Sequence, residues 1–161
     1  MLIFAYNYKK KEAKNNMERT YIMLKPNAYK KRIMGEIITR IEKKGFTITN
    51  MKLMLLSTEI VREHYAHIVN KPFYPEVEAF MTSGPVLAMI VEGEDVVQGM
   101  RNMMGPTKWL EAPAGTIRGD FATSNGENII HGSDTPENAE IEIARFFGKA
   151  QKISMVGHNN D

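Results

Sequence analysis

The sequence contains no cysteine, which excludes a disulfide framework and a thiolate zinc site. It lacks a long apolar run as well, with nothing near the roughly 18 consecutive apolar residues of a membrane-crossing helix. The apolar start, Met1 to Tyr6, is too short for a secretory signal, and its charges follow the apolar run where a signal places them first. Charge of one sign is scarce: a formal net charge of +2 over 161 residues makes no electrostatic case for a nucleic-acid or membrane partner. Three motifs are also missing. Without G-x-x-x-x-G-K-S/T there is no P-loop kinase, without G-x-G-x-x-G a dinucleotide fold has no support, and without H-E-x-x-H a zincin is removed. The expectation is a soluble, cytoplasmic protein with no metal cage of its own.

What is present fits one globular domain. Hydrophobic residues make up 43% and charged residues 25%, ordinary proportions for a chain long enough to bury a core. Residues 1–16 read as a polar N-terminal extension, with Lys9, Lys10, Lys11 and Lys14 against Glu12 and little to bury. Met17 opens the patterned part, so residues 17–161 are expected to form the single domain.

Arg19–Lys25 alternates as a strand, Ile22 and Leu24 on one face and Tyr21 and Met23 on the other. Pro26 ends it. Ile33, Met34, Ile37, Ile38 and Ile41 recur at helical spacing, and Gly45 closes that helix. Phe46–Leu56 reads as a strand, and Thr58–Val69 and Pro75–Met81 as short helices. Val86–Val91 is apolar throughout, the pattern of a central strand covered on both faces. Glu94–Met104 reads as a helix, Lys108–Asn125 as a long ordered loop, and Asn128–His131 as a short strand. Thr135-Pro136 starts the last helix, Thr as N-cap and Pro at the first helical position. This order predicts an α+β ferredoxin-like sandwich, a four-stranded antiparallel sheet with helices on one or both faces and a long active-site loop insertion. A doubly wound parallel sheet is the alternative, because strand order is not written in the sequence.

Long loops in compact domains usually carry function. This stretch holds Arg101, Thr107, Lys108 and Arg118 and leads into His131. Guanidinium forks match phosphate oxygens, and phosphoryl transfer asks a protein mainly for positioning and charge stabilisation. Surface ion pairing is the plainer reading of the same arginines. His131 has three histidine companions, His64, His67 and His158, and a histidine near a strand end is often structural. Two neighbours favour chemistry here: Gly132, which would leave the imidazole approachable, and Glu142, at the margin of the apolar face defined by Ala139, Ile143 and Phe146. A carboxylate on one imidazole nitrogen fixes the tautomer and makes the other nitrogen the better nucleophile.

The run Asn128-Ile-Ile-His131-Gly-Ser133-Asp134 resembles the active-site signature of nucleoside diphosphate kinases. Other segments match that family in order and spacing: Glu18 to Pro26, Lys71-Pro-Phe73-Tyr74, Ser83-Gly-Pro85 and Gly115-Thr-Ile-Arg118-Gly-Asp120. The resemblance spans Glu18 to Phe147. It implies ping-pong transfer of a γ-phosphoryl group from a nucleoside triphosphate to a nucleoside diphosphate, through phosphorylated His131. Carried over by residue, it implies that Glu142 orients His131 and that Ser133 supports Glu142. Lys25 and Asn128 would bind the ribose hydroxyls. Arg101, Thr107 and Arg118 would hold the phosphates with Tyr65 nearby, and Phe73 and Val77 would sandwich the base. It further implies Mg²⁺ arriving on the nucleotide and a homo-hexamer or homotetramer.

Some positions depart from the family pattern. Lys108-Trp109-Leu110 stands where Asn-Pro usually follows the threonine, and Asn125 replaces a commonly apolar residue near the base. Regular alternation also places Ile129 with His131 and turns Asn128 to the opposite face. Asn128 can then join the site only if the strand starts after it or bends.

Overall fold

The computed structural model describes residues 16–148 of the chain. The sheet has four strands in the order β2-β3-β1-β4: β1 (Met17–Leu24), β2 (Thr47–Met54), β3 (Val86–Glu94) and β4 (Ile130–Gly132). Every neighbouring pair is antiparallel. This is the ferredoxin-like order, and the parallel alternative is set aside.

Alternation along β1 and β3 generates two cores, one on each face. Ile22, Leu24, Leu87, Met89 and Val91 face α2 (Met34–Lys43) and α5 (Val96–Met104), where they meet Ile37, Ile41, Met100 and Met104. Tyr21, Met23, Val86, Ala88 and Ile90 face the other way. There they meet Val61 of α3 (Thr58–His64), Met81 of α4 (Tyr74–Met81), and Ile143 and Phe146 of α7 (Pro136–Phe147). Both faces of the central strand are therefore dry, as its unbroken apolar run requires.

Local chemistry sets the element ends. Thr135 caps α7 by accepting from Asn138 N, with Pro136 in the first turn. Ser57 caps α3 by accepting from Ile60 N. Three boundaries differ from the periodicity. Pro26 does not only end β1; with φ preset, it opens α1 (Pro26–Lys30) directly from Lys25. The Thr58–Val69 helix stops at His64, and a 3₁₀ turn follows at Ala66–Ile68. Within Lys108–Asn125 lie a 3₁₀ turn, Trp109–Glu111, and α6 (Ile117–Phe121). Gly119 is required there, since a Cβ would lie 1.9 Å from Pro113 O.

Gly132 serves packing. A Cβ on it would meet Met104 Sδ at 2.6 Å, so its missing side chain lets α5 seat against β4. Of the extension assigned to residues 1–16, only Asn16 is among the described residues. It bonds Glu18 and Asp95 at 2.7 and 2.9 Å. His158 also lies outside the described residues.

Candidate active site

β4 is short because the chain turns sharply before it. Ile129 has φ +75°, a left-handed conformation that β-branched residues rarely adopt. The turn puts both Ile129 and Ile130 into the α2/α5 core and leaves His131 on the opposite face, its ring 5.9 Å from that of Tyr21. Strict alternation, with Ile129 beside His131, fails at this residue. The same turn frees Asn128 from the sheet, and its Oδ1 accepts from Lys25 Nζ at 2.7 Å.

Two contiguous cavities lie along this edge. The polar one, about 530 Å³, is lined by His131, Glu142, Arg101, Arg118, Tyr65 and Thr107, among others. The more apolar one, about 680 Å³, holds Phe73, Val77, Lys25, Asn128, Asn125, Tyr65 and Thr107. Tyr65 and Thr107 border both, so the two form one cleft with a polar and an apolar end. Ten of the eleven site residues expected from sequence are brought together on it. The exception is Ser133, which is buried behind the wall.

At the polar end His131 Nε2 is hydrogen-bonded to Glu142 Oε2, which leaves Nδ1 as the uncommitted ring nitrogen. The expected support from Ser133 is corrected. Its Oγ accepts from Tyr21 N at 3.3 Å and donates to Tyr21 O at 3.4 Å, so its hydrogen bonds extend the β1–β4 pairing and none goes to Glu142. The Tyr65 hydroxyl is buried with no partner among the described residues. Burial and then the charge of Glu142 push its pKa up, so it stays a protonated donor.

Arg118 has two tasks. Nη1 donates to Gly105 O at 2.9 Å, Nη2 to Ile130 O at 2.7 Å and Nε to Asn128 O at 3.3 Å. A guanidinium carries five N–H donors, so two remain for a ligand. Burial, then the charge of Arg101, lowers its pKa to about 10, and it is still cationic at neutral pH. Burial, then Arg118, pulls Lys25 down to about 7, so its charge is readily tuned by an anion placed beside it. Asp134 is held below the usual carboxylate range, chiefly by Asn138, whose amide donates to it at 2.6 Å.

Sequence reasoning set His64 aside and overlooked Arg145, and no periodic or motif signal marks either. His64 Nδ1 lies 3.5 Å from Glu142 Oε2 and 3.0 Å from Arg145 Nη1. Burial above all, then the charges of His131, Arg145, Lys25 and His67, pushes its pKa down to about 2. The 3.5 Å approach to Glu142 is therefore not an ion pair. Unfolded, the same imidazole takes a proton near pH 6.5. From that pH down to its folded pKa the unfolded chain binds a proton that the folded chain refuses, so stability falls as pH falls, by about 1.4 kcal/mol per unit from this group. In urea unfolding, His64→Phe should remove about that much slope between roughly pH 6 and 4. An unchanged slope would show that the folded protein protonates His64.

The Trp109 main-chain N–H donates to Asn125 Oδ1 at 3.1 Å, and the indole packs against the α2/α5 core. The two departures from the family pattern thus hold each other beside the apolar end of the cleft.

A family model described as nucleoside diphosphate kinase matches residues 18–152. A nucleoside diphosphate kinase of Brevibacillus brevis is 49% identical over 139 residues, covering 86% of this chain and 95% of that protein. The apo crystal structure of nucleoside diphosphate kinase from Encephalitozoon cuniculi superposes with a TM-score of 0.82 at 45% identity, over 85% of this chain and 94% of that one. The Halobacterium salinarum enzyme, solved in complex with CDP, gives 0.83 at 40% identity, over 88% and 94%.

Proposed function

The chain belongs to the nucleoside diphosphate kinase family, and on that footing we propose how its own residues carry phosphoryl transfer between nucleotides. The carrying observation is the His131–Glu142 pair at the polar end of a cleft whose other end is apolar and aromatic. His131 Nδ1 attacks the γ-phosphorus of a nucleoside triphosphate. The Nδ1–P bond forms, the bond to the β–γ bridging oxygen breaks, and the diphosphate leaves with that electron pair. The proton stays on Nε2, which donates it to Glu142, and the carboxylate charge offsets the positive charge the ring gains. A terminal oxygen of a second diphosphate then attacks the phosphoryl group, and the Nδ1–P bond returns its electrons to the ring.

The Arg101 guanidinium has no hydrogen-bond partner among the described residues and meets the phosphates together with Thr107 and the two unused donors of Arg118. The Tyr65 hydroxyl gains its missing partner there. Lys25 and Asn128, already paired, bind the ribose hydroxyls. Phe73, half-exposed at the mouth, and Val77 cover the faces of the base. Stacking does not read base edges, which fits transfer among many nucleotides. Mg²⁺ enters as part of the nucleotide substrate. The one cluster of potential metal ligands among the described residues, His64, His131 and Glu142, offers two nitrogens and a carboxylate already bonded to His131. Mg²⁺ favours oxygen donors.

The test is a chase. Labelled ATP with Mg²⁺ and no acceptor should leave label on the protein, and GDP should discharge it as GTP. Folded protein that never takes label would sink the covalent route.

Assembly into a homo-hexamer or homotetramer is the partner reading we favour. Edge strand β2 and the residue just after it leave Met51, Leu53 and Leu55 more than half exposed, a pattern that monomers usually blunt with charge. Light scattering on the intact chain should give six or four copies; a monomer would refute it. No helix among the described residues is long and apolar enough to cross a membrane, and the cytoplasm is the compartment we propose.

A further inference from the structure

Glu142 has two imidazoles beside one oxygen. His131 Nε2 bonds Oε2, and His64 Nδ1 stands 3.5 Å from that same atom, the two rings edge to face with centroids 4.5 Å apart. A neutral imidazole carries its proton on one nitrogen or the other. With the proton on Nδ1, His64 would be a second donor to Oε2 and would divide that oxygen with His131. With the proton on Nε2, His64 turns only a lone pair toward Glu142.

Arg145 decides between them. It lies three residues after Glu142 on α7, and its Nη1 is 3.0 Å from His64 Nδ1. A guanidinium has no acceptor, so His64 Nδ1 must be the accepting nitrogen. Glu63 holds Arg145 in turn, Nε to Oε1 at 3.3 Å. The arrangement joins α3 to α7 and is absent from any local pattern.

We propose that Arg145 is a positioning residue acting through His64: by occupying His64 Nδ1 it fixes the tautomer that cannot donate to Glu142, and so reserves Glu142 Oε2 for His131. This rests on the roles proposed above for His131 and Glu142. The depressed pKa of His64 agrees with it, since a charged ring would donate from both nitrogens.

Arg145 also lines the phosphate end of the cleft, which supplies the rival explanation, a direct phosphate contact. The two part on epistasis. Arg145→Leu should slow His131 phosphorylation roughly five- to tenfold, the value of one weakened hydrogen bond, with the nucleotide KM unchanged. Adding His64→Phe removes the competing donor and should return most of that loss. A raised KM with no recovery in the double variant assigns Arg145 to phosphate binding and overturns the proposal, as does an Arg145→Leu rate equal to the parent's. A second measurement does not depend on variants that fold. Nitrogen-15 spectra of the imidazoles in the intact parent protein should show His64 Nδ1 bare and Nε2 protonated. The opposite tautomer overturns the proposal. Failure of the underlying mechanism reads differently, as label retained by His131→Gln, and leaves the tautomer untouched.

Discussion

His131→Gln should give a folded protein that takes up no phosphoryl group from ATP, with turnover down at least about 10³-fold, or about 4 kcal/mol of transition-state stabilisation. The carboxamide replaces the imidazole with similar bulk but has no nucleophilic nitrogen. Loss of fold is not the cause, because the side chain is a quarter exposed and contributes little to either core; the melting midpoint should move by only a few degrees. The neighbouring His64 cannot substitute. It is almost fully buried, and its accepting nitrogen is occupied by Arg145. His67 lines the cavity but has no carboxylate on its ring among the described residues. In the parent protein the label should be lost in acid and survive alkali, as a P–N bond requires, and initial rates against both nucleotides should give parallel lines. Acid-stable label, or label that persists in His131→Gln, removes the basis of the mechanism.

The sequence made much of this molecule legible where physics is local. Alternation in Arg19–Lys25 assigned Tyr21 and Met23 to one core and Ile22 and Leu24 to the other, and the two clusters divide that way. The helical spacing after Ile33 and the Thr135-Pro136 start held for the same reason: caps and faces depend on residues a few positions apart. The pairing of His131 with Glu142 was within reach because eleven residues separate them across one turn. What failed was long-range or conformationally unusual. Alternation counts residues and cannot register a left-handed Ile129, which is set by partners elsewhere in the chain. Ser133 was assigned to Glu142 by resemblance, yet its hydroxyl found the Tyr21 main chain 112 positions away. The Arg145–His64 contact spans 81 positions, and nothing near either residue announces it.

Arg118→Lys should lower both stability and catalysis, and the strained Ile129 explains why the two losses travel together. Arg118 donates to the carbonyls on both sides of that residue, Asn128 O and Ile130 O, and to Gly105 O at the end of α5. The clamp holds Ile129 in a left-handed conformation that costs about 1–3 kcal/mol, and Lys25 N, bonded to Ile129 O at 2.8 Å, assists it. A lysine retains the charge but offers a single ammonium that cannot span three carbonyls. Asn128 O would still accept from Ile130 N at 2.9 Å, but Ile130 O and Gly105 O would lose the guanidinium, and a buried acceptor left unpaired costs about 1–3 kcal/mol. A total near 3 kcal/mol is the expectation, which for a domain of this size lowers the melting midpoint by about 10 °C. Once the turn relaxes, Asn128 loses its register on Lys25, and the two guanidinium donors left for phosphate are gone as well. Turnover should therefore fall about 10²- to 10³-fold, the scale of a removed electrostatic stabiliser. Melting and single-turnover phosphorylation on the same preparation decide it. Unchanged stability with lost turnover would reduce Arg118 to a phosphate ligand, and lowered stability with full turnover would remove it from the phosphate altogether.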